Sequence, residues 1–374
     1  NDLFGHAAGD VLLQRVGQAL LGANEGVGDA ARLGGDEFAV LLGDIGTPAR
    51  AGRIAEQILD AFRRNNEQSA GGALISASIG IALFPDNADT AEHLMTHADT
   101  ALYRAKQDGR GIYRFFENAM GAEVRDRRML EHDLRHAVSR NQLRLVYQPQ
   151  VDVQSGEVTG FEALVRWKHP ERGDIPPSVF VPVAEESGLI LQIGEWVLRS
   201  AANEAARWKS PLSVAVNVSA VQVHSPSFAQ TVHEVLISTG LSPARLEVEI
   251  TETALIRDMM RAVTTLRQIR ALGVRIAMDD FGTGYSSLAN LRAFPFSKIK
   301  VDQSFIRAVD NNDQSAAIVR AVLGLGSGLN VPVVAEGVER VEELDFLKNE
   351  TCQTAQGYLL SRPEDIRTFA AVTE

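Results

Sequence analysis

A single cysteine, Cys352, stands in a chain of 374 residues. That excludes an internal disulfide and a thiolate metal cluster, and it fits a reducing compartment. Cations are also scarce: lysine and arginine total 37 against 48 aspartates and glutamates, a net charge of −11. The chain therefore lacks the basic surface that binding to a nucleic acid polymer requires. A small anionic ligand would need a local cation or a bound metal. No apolar run approaches the roughly 20 residues that span a bilayer, and neither a G-x-G-x-x-G fingerprint nor a P-loop is present. The chain starts at Asn1 with no Met and no signal-peptide pattern. The reading is a cytoplasmic portion of a longer protein, whose upstream segments can supply a membrane anchor.

What is present is the composition of a globular protein, 45% apolar and 23% charged, in a chain long enough for two domains. The first half mixes periods. Asp10 to Leu21 and Ala91 to Lys106 carry helical stripes, while Phe38 to Leu42 and Leu74 to Leu83 read as strands, an α+β pattern. Glu117 to Arg140 is charged at helical spacing, with Met129, Leu130, Leu134, Ala137 and Val138 as buried positions. Beyond it short apolar runs alternate with helical stretches. They fall at Leu145 to Tyr147, Phe161 to Val165, Val214 to Val218, Leu246 to Ile250, Val274 to Met278, Lys298 to Val301, Val331 to Ala335 and Gly357 to Leu360. About eight such units in this length predict an α/β fold, a (β/α)8 barrel, with a doubly wound open sheet as the alternative. The domains are expected at 1–116, a connector at 117–129 and a second domain at 130–370.

In such a barrel the chemistry sits where strands end. Those ends carry Glu162, Asn217, Glu249 with Glu252, Asp279 with Asp280, Lys300, and Glu336 with Glu339. A lone acidic strand end is ordinarily a helix cap or a surface charge; agreement across six ends predicts one acidic rim. Facing one cavity, these carboxylates require protons or cations to offset them. The donors are hard oxygens without His or Cys, so Mg2+ or Mn2+ is expected, with Ca2+ as an inhibitory occupant. Two such ions about 4 Å apart, bridged by a carboxylate, suit in-line attack on a phosphodiester.

The second half resembles the EAL phosphodiesterase domain: EALVRW at Glu162 to Trp167, NVS at Asn217 to Ser219, EITE at Glu249 to Glu252 and DDFGTGYSSL at Asp279 to Leu288. KIKVD at Lys298 to Asp302, AEGVE at Ala335 to Glu339 and QGYLLSRP at Gln356 to Pro363 continue the match. The resemblance implies a TIM-like barrel whose first strand runs antiparallel, and hydrolysis of cyclic di-GMP to linear pGpG with two Mg2+ or Mn2+ ions. It further implies that Glu162, Asn217, Glu249 and Asp279 ligate one ion and Asp279 with Asp280 the second. Lys300 would orient the activated water or a phosphate oxygen. Glu336 would hold a water or act as base, and Glu252 would anchor the loop from Asp280 to Ser287, which couples metal binding to a homodimer of this domain. Gln148, Arg166, Glu339 and Gln356 would bind substrate or support the site. Arg340, Thr351 and Gln353 depart from the family's common Thr, Gly and Asp.

The first half resembles the GGDEF diguanylate cyclase domain through NDLFGHAAGD at Asn1 to Asp10, RLGGDEF at Arg32 to Phe38, SIGIALFP at Ser78 to Pro85 and ADTALYRAKQDGR at Ala98 to Arg110. This implies that Asn1 and Asp10 read the guanine of GTP, Asp36 and Glu37 serve a metal at a hairpin tip, and Lys106 and Arg110 contact phosphates. The family's first strand is absent from the sequence, so the expectation is an incomplete domain without cyclase activity that binds GTP or regulates the barrel. EGVG at Glu25 to Gly28 replaces the inhibitory RxxD motif. A non-catalytic receptor and a net cyclase are the rival functions. His93 and His97 read as surface histidines. Trp167, Trp196 and Trp208 read as packing, with Trp167 close enough to Arg166 to line the pocket.

Overall fold

A computed structural model describes residues 13, 16, 17, 20, 22, 28–43, 45–67, 76–252, 254, 258–282 and 294–374, apart from the side chains of 65–67 and 118–125. The chain divides into two compact units, Asn1–Met129 and Leu130–Glu374.

In the first unit β1 (Gly28–Gly34) and β2 (Glu37–Leu42) form an antiparallel hairpin. β3 (Ile79–Ile81) pairs in parallel with β4 (Tyr113–Phe115). Ile54, Ile58 and Phe62 of the helix Pro48–Glu67 build a small core with Leu20. The helix Ala91–Gln107 starts on Thr90, whose hydroxyl accepts from the His93 amide, a standard N-cap. Of the expected strand from Leu74 to Leu83, Ile79–Ile81 is extended and paired, residues 76–78 are not, and Leu74 and Ile75 lie outside the described residues. Most of the expected helix from Asp10 to Leu21 lies outside them too, although Leu13, Val16, Gly17 and Leu20 are helical.

The second unit is a closed barrel of eight strands wrapped by helices. They are β5 (Leu143–Asp152), β6 (Val158–His169), β8 (Ser213–Asn217), β9 (Leu246–Thr251), β10 (Arg275–Phe281), β11 (Lys298–Val301), β12 (Val333–Ala335) and β13 (Thr354–Ala355), with β7 (Gly173–Ile175) appended to β6. From β6 through β13 the barrel pairs are parallel, whereas β5 runs antiparallel to both neighbours and closes the ring. This is the TIM-like fold. The apolar residues of the strands point outward: Val214, Val216, Val248, Ile250, Ile276, Met278, Ile299 and Val301 join one buried cluster with Leu198, Val232, Leu266, Ile269 and Val319 of the surrounding helices. Ala215, Ala277 and Val334 are equally buried but stand outside that cluster. Period-2 geometry puts them inside the barrel, where they fill space between polar side chains.

Several expectations need correction. The last strand is Thr354–Ala355, and Gly357 to Leu360 make a turn. Gly357 lies so close to the Val338 backbone that any side chain there would strike it, so this turn requires a glycine. The charged segment is helical from Asn118 to Leu134 and continues as turns. Leu130, Leu134 and Ala137 enter the barrel core, but Met129 is exposed. Trp167 packs edge-on against Phe180 on the outer face, with its indole N–H donating to Gln142 at 3.1 Å. Adjacent residues of a strand point oppositely, so it does not line the pocket beside Arg166. His97 is half-buried, stacked on Phe116 at 4.0 Å, with Nδ1 facing the Asn87 carbonyl. Of the two, His93 alone is a surface histidine, paired with Asp89. Among the described residues no helix is long and apolar enough to cross a membrane.

Candidate active site

Parallel strands deliver their inward side chains to one end of the barrel, and here that end is acidic. Lys300, fully buried on β11, occupies the centre. Its Nζ lies 2.6 Å from Glu249 Oε2, 2.7 Å from Glu336 Oε1, 3.2 Å from Asp279 Oδ1 and 3.8 Å from Glu162 Oε2. Four segments distant in sequence thus meet at one ammonium. Asn217 Nδ2 donates to Glu162 Oε1 at 2.6 Å. Gln356 Nε2 donates to Glu162 Oε2 at 2.5 Å and Gln148 Oε1 at 3.0 Å, while Gln148 Nε2 donates to the Ser361 carbonyl. Both lone-pair regions of Glu162 are therefore addressed by amides.

Asp279 and Asp280 reach the same place by a backbone distortion. In a regular strand they would face opposite sides. Asp280 instead has φ 55°, and the β10–β11 register shifts between Met278 and Phe281. Such a bulge re-aims a side chain. Ligand oxygens of Asp279, Asp280 and Glu336 consequently lie within 4.8 Å of one another. Asp280 also shares a hydrogen bond with Asp302, a neighbour the sequence reading did not single out.

The electrostatics follow from burial. Burial pushes Asp280 up to about 6, with Asp279 and Asp302 adding to it. Burial likewise raises Glu336 to about 8; Lys300 opposes the rise, and Asp279 and Glu162 reinforce it. Glu249 is held well above the ordinary carboxylate range, again by burial first. Lys300 experiences the converse. Burial works against its charge, but Asp279, Glu162, Glu249 and Glu336 together hold its pKa well above that of a free lysine. One ammonium does not satisfy so many oxygens, and the group has room for more positive charge or protons.

The remaining sequence-selected residues are distributed unevenly. Arg166 shares β6 parity with Glu162 and is half-buried; its Nη1 donates to the Val165 carbonyl. Glu339 is exposed and paired with Arg307 at 2.8 Å, outside the carboxylate group around Lys300. Glu252 is buried at the end of β9, and neither of its oxygens has a partner among the described residues. Most of the loop it was expected to anchor, from residue 283 on, lies outside them. In the first unit Asp36 and Glu37 sit at the exposed tip of the β1–β2 hairpin, Lys106 and Arg110 are exposed, and Asn1 and Asp10 lie outside the described residues. Among the described residues, Asp279, Asp280 and Glu336 are the one acidic group that converges closely enough to hold a metal.

Sequence reasoning missed a buried polar layer below Lys300, made of Gln150, Glu247 and Lys298. Its signal was the i, i+2 repetition in Glu247–Glu249 and Lys298–Lys300 on strands that are otherwise apolar.

The geometry can be set beside known proteins. The EAL domain pattern matches residues 131–363, and that of the diguanylate cyclase GGDEF domain matches 1–111. An "uncharacterized signaling protein" of Caulobacter vibrioides is 52% identical over 98% of this chain and 45% of its own length. The bifunctional diguanylate cyclase/cyclic di-GMP phosphodiesterase MucR of Pseudomonas aeruginosa is 43% identical over 97% of this chain and 53% of its own. The cyclic di-GMP phosphodiesterase PdeR of Escherichia coli is 39% identical over 97% and 55%. The chain thus spans about half the length of these relatives. Among solved structures, the PaMucR phosphodiesterase complex with c-di-GMP covers 64% of this chain and 99% of its own, at 43% identity and a TM-score of 0.62. The EAL enzyme Bd1971, bound to cAMP and cyclic di-GMP, covers 77% of each chain at 28% identity and a TM-score of 0.65. With seven motifs, a closed barrel and these matches in agreement, the chain belongs to the EAL family and carries a GGDEF domain ahead of its EAL domain.

Proposed function

We propose that the barrel hydrolyses cyclic di-GMP to linear pGpG in a reaction that depends on two divalent cations. The observation that carries this reading is the convergence of Glu162, Glu249, Asp279 and Glu336 on Lys300. The donor set fits Mg2+ or Mn2+: the ligating atoms are hard oxygens, and neither His nor Cys is among them. Glu162, Asn217, Glu249 and Asp279 would hold one ion, and Asp279 with Asp280 the second. Ca2+ would compete for the same oxygens without supporting turnover. When bound, the ions supply Lewis-acid activation of water and offset the charge that develops at phosphorus.

The side chains divide the remaining work. Glu336 accepts the proton of the attacking water once it is ionised; burial holds a proton on it in the metal-free site, and bound cations would favour its charged form. Lys300 orients the attacking water or a phosphate oxygen. As the water oxygen bonds to phosphorus, the P–O3′ bond breaks and the 3′ oxygen takes up a proton, so one water is consumed per ring opened. Arg166 offers a planar fork matched to phosphate. Gln148 and Gln356 fix Glu162 and the loop at Ser361, and Glu339 supports the rim through Arg307. Dimerisation through the barrel belongs to the same reading.

Incubating the chain with cyclic di-GMP and Mg2+, and following pGpG by chromatography, tests the proposal. Product that forms with Mg2+ and disappears with a chelator supports it. Binding without cleavage overturns it in favour of a receptor.

A further inference from the structure

The barrel interior holds a second polar layer that the proposed chemistry leaves unused. Lys298 precedes Lys300 by two residues on β11, and Glu247 precedes Glu249 by two on β9, so both lie one layer deeper on the interior face. β5 runs the opposite way, and its deeper residue is therefore the later one, Gln150 below Gln148. Lys298 Nζ donates to Glu247 Oε1 at 2.6 Å and to Gln150 Oε1 at 3.2 Å. Gln150 Nε2 in turn faces Glu249 Oε1 at 3.5 Å, while Glu249 Oε2 receives Lys300 at 2.6 Å. The Glu247 and Lys298 side chains are 1% and 11% exposed.

Stability alone does not explain this layer. A buried ion pair pays heavily in desolvation, and well-packed apolar replacements are often neutral or stabilising. Glu247 Oε2, moreover, is buried with no hydrogen-bond partner among the described residues. The layer does have a directional consequence. An ammonium has three donors and no acceptor, so Gln150 can turn only its carbonyl oxygen toward Lys298, and its NH2 must face Glu249. With the amide reversed, two oxygens would oppose each other there. The charge on Lys298, itself held by Glu247, thereby sets which way Gln150 points, and Gln150 sets which oxygen of Glu249 remains for the upper layer.

We infer that Gln150, oriented by the Glu247–Lys298 pair, is a positioning residue that presents the Glu249 carboxylate for divalent-cation binding. The inference rests on the reading of Glu249 as a metal ligand. Calorimetric titration of the full chain with Mn2+ tests it, using wild type, Gln150→Leu, Lys298→Met and the double variant Glu247→Leu/Lys298→Leu, each checked for folding by near-UV circular dichroism and thermal melting. Loss of a residue that orients a ligand typically costs about 10–100-fold in metal affinity. The expected result is that loss in Gln150→Leu and in the double variant, with the double variant's melting temperature close to wild type because both buried charges leave together. Lys298→Met strands Glu247 and is expected to lose stability as well. Mn2+ affinity within twofold of wild type in folded Gln150→Leu overturns the inference, as does a double variant that retains both stability and affinity. A wild-type chain that binds no Mn2+ overturns the metal reading itself, so the two failures are distinguishable.

Discussion

The two acidic clusters of this protein differ in what surrounds them. At the hairpin tip Asp36 and Glu37 stand in solvent, and among the described residues no third metal-binding side chain converges on them. In the barrel Glu162, Glu249 and Asp279 are buried, arrive on different strands, and surround a fully buried lysine. Water screens the first pair at little cost. The second group has lost most of its water and raises the pKa of Glu249, Asp280 and Glu336. The sequence reading already favours the barrel cluster, and burial gives that preference a physical ground. Only a desolvated cluster creates a demand for cations that its own structure expresses.

The largest test removes a shared oxygen donor. Asp279→Ala, or Glu162→Ala, is expected to lower pGpG formation by about 10^3-fold or more, because several kcal/mol of charge stabilisation are at stake and each 1.4 kcal/mol is tenfold. Chromatographic rates under saturating Mg2+ measure it. Turnover within tenfold of wild type would remove the altered residue from the mechanism and erase the contrast between the two clusters.

Next comes the lysine at the centre. Lys300→Met leaves Glu162, Glu249, Asp279 and Glu336 without their shared cation, and stranding buried charge costs about 3–5 kcal/mol. The sign with pH is fixed. The raised lysine pKa means its contribution is complete below the ordinary value of about 10.4, so urea unfolding at pH 8 measures all of it. In the variant the carboxylates relieve their repulsion by taking protons, so its deficit should shrink as pH falls toward 5. A deficit that does not change with pH would mean that the carboxylates are not coupled through Lys300.

Much of this site was legible in the sequence, and the reasons are specific. Leu246–Ile250 and Lys298–Val301 alternate apolar and charged residues, which in an open sheet predicts a wet face. Here both faces are buried, and only strand-end position hinted that the charged face turned inward. Local chemistry could not reveal the bulge that swings Asp280 beside Asp279, because its φ of 55° is imposed where β10 meets β11. Nor could it reveal that Glu339 would be taken up by Arg307, since that pairing joins residues 32 positions apart. β13 was displaced because a strand of two residues carries no periodic signal. The deeper layer of Gln150, Glu247 and Lys298 was visible only as a repetition, and its meaning depends on three strands closing into one ring.

A smaller effect concerns protons. Below about pH 8 Glu336 carries a proton that an arriving cation must displace, and Glu249 is raised in the same direction. Ligands must be deprotonated to bind. Mn2+ binding should therefore release protons, and its affinity should rise by up to tenfold per pH unit, per proton displaced, between pH 6 and 8, then level off. Calorimetry in buffers of different ionisation enthalpy reads both quantities. Affinity that falls as pH rises would contradict the electrostatic account of the barrel cluster.

The smallest expected effect lies at the hairpin tip. Asp36 is exposed, in the turn between β1 and β2, and substitutions at such positions usually change stability by no more than about 0.5 kcal/mol. Asp36→Ala should therefore leave the melting temperature within about 4 °C, and the pGpG rate within about twofold, of wild type. A loss comparable to that of Asp279→Ala would mean that the exposed carboxylate feeds the barrel chemistry, and the division drawn between the two clusters would fail. GTP sharpens the test. If the nucleotide binds the first domain and tunes the barrel, a GTP titration should change the wild-type rate and leave Asp36→Ala at its basal value. Identical flat titrations would instead confine the measurable chemistry of this chain to the desolvated cluster around Lys300.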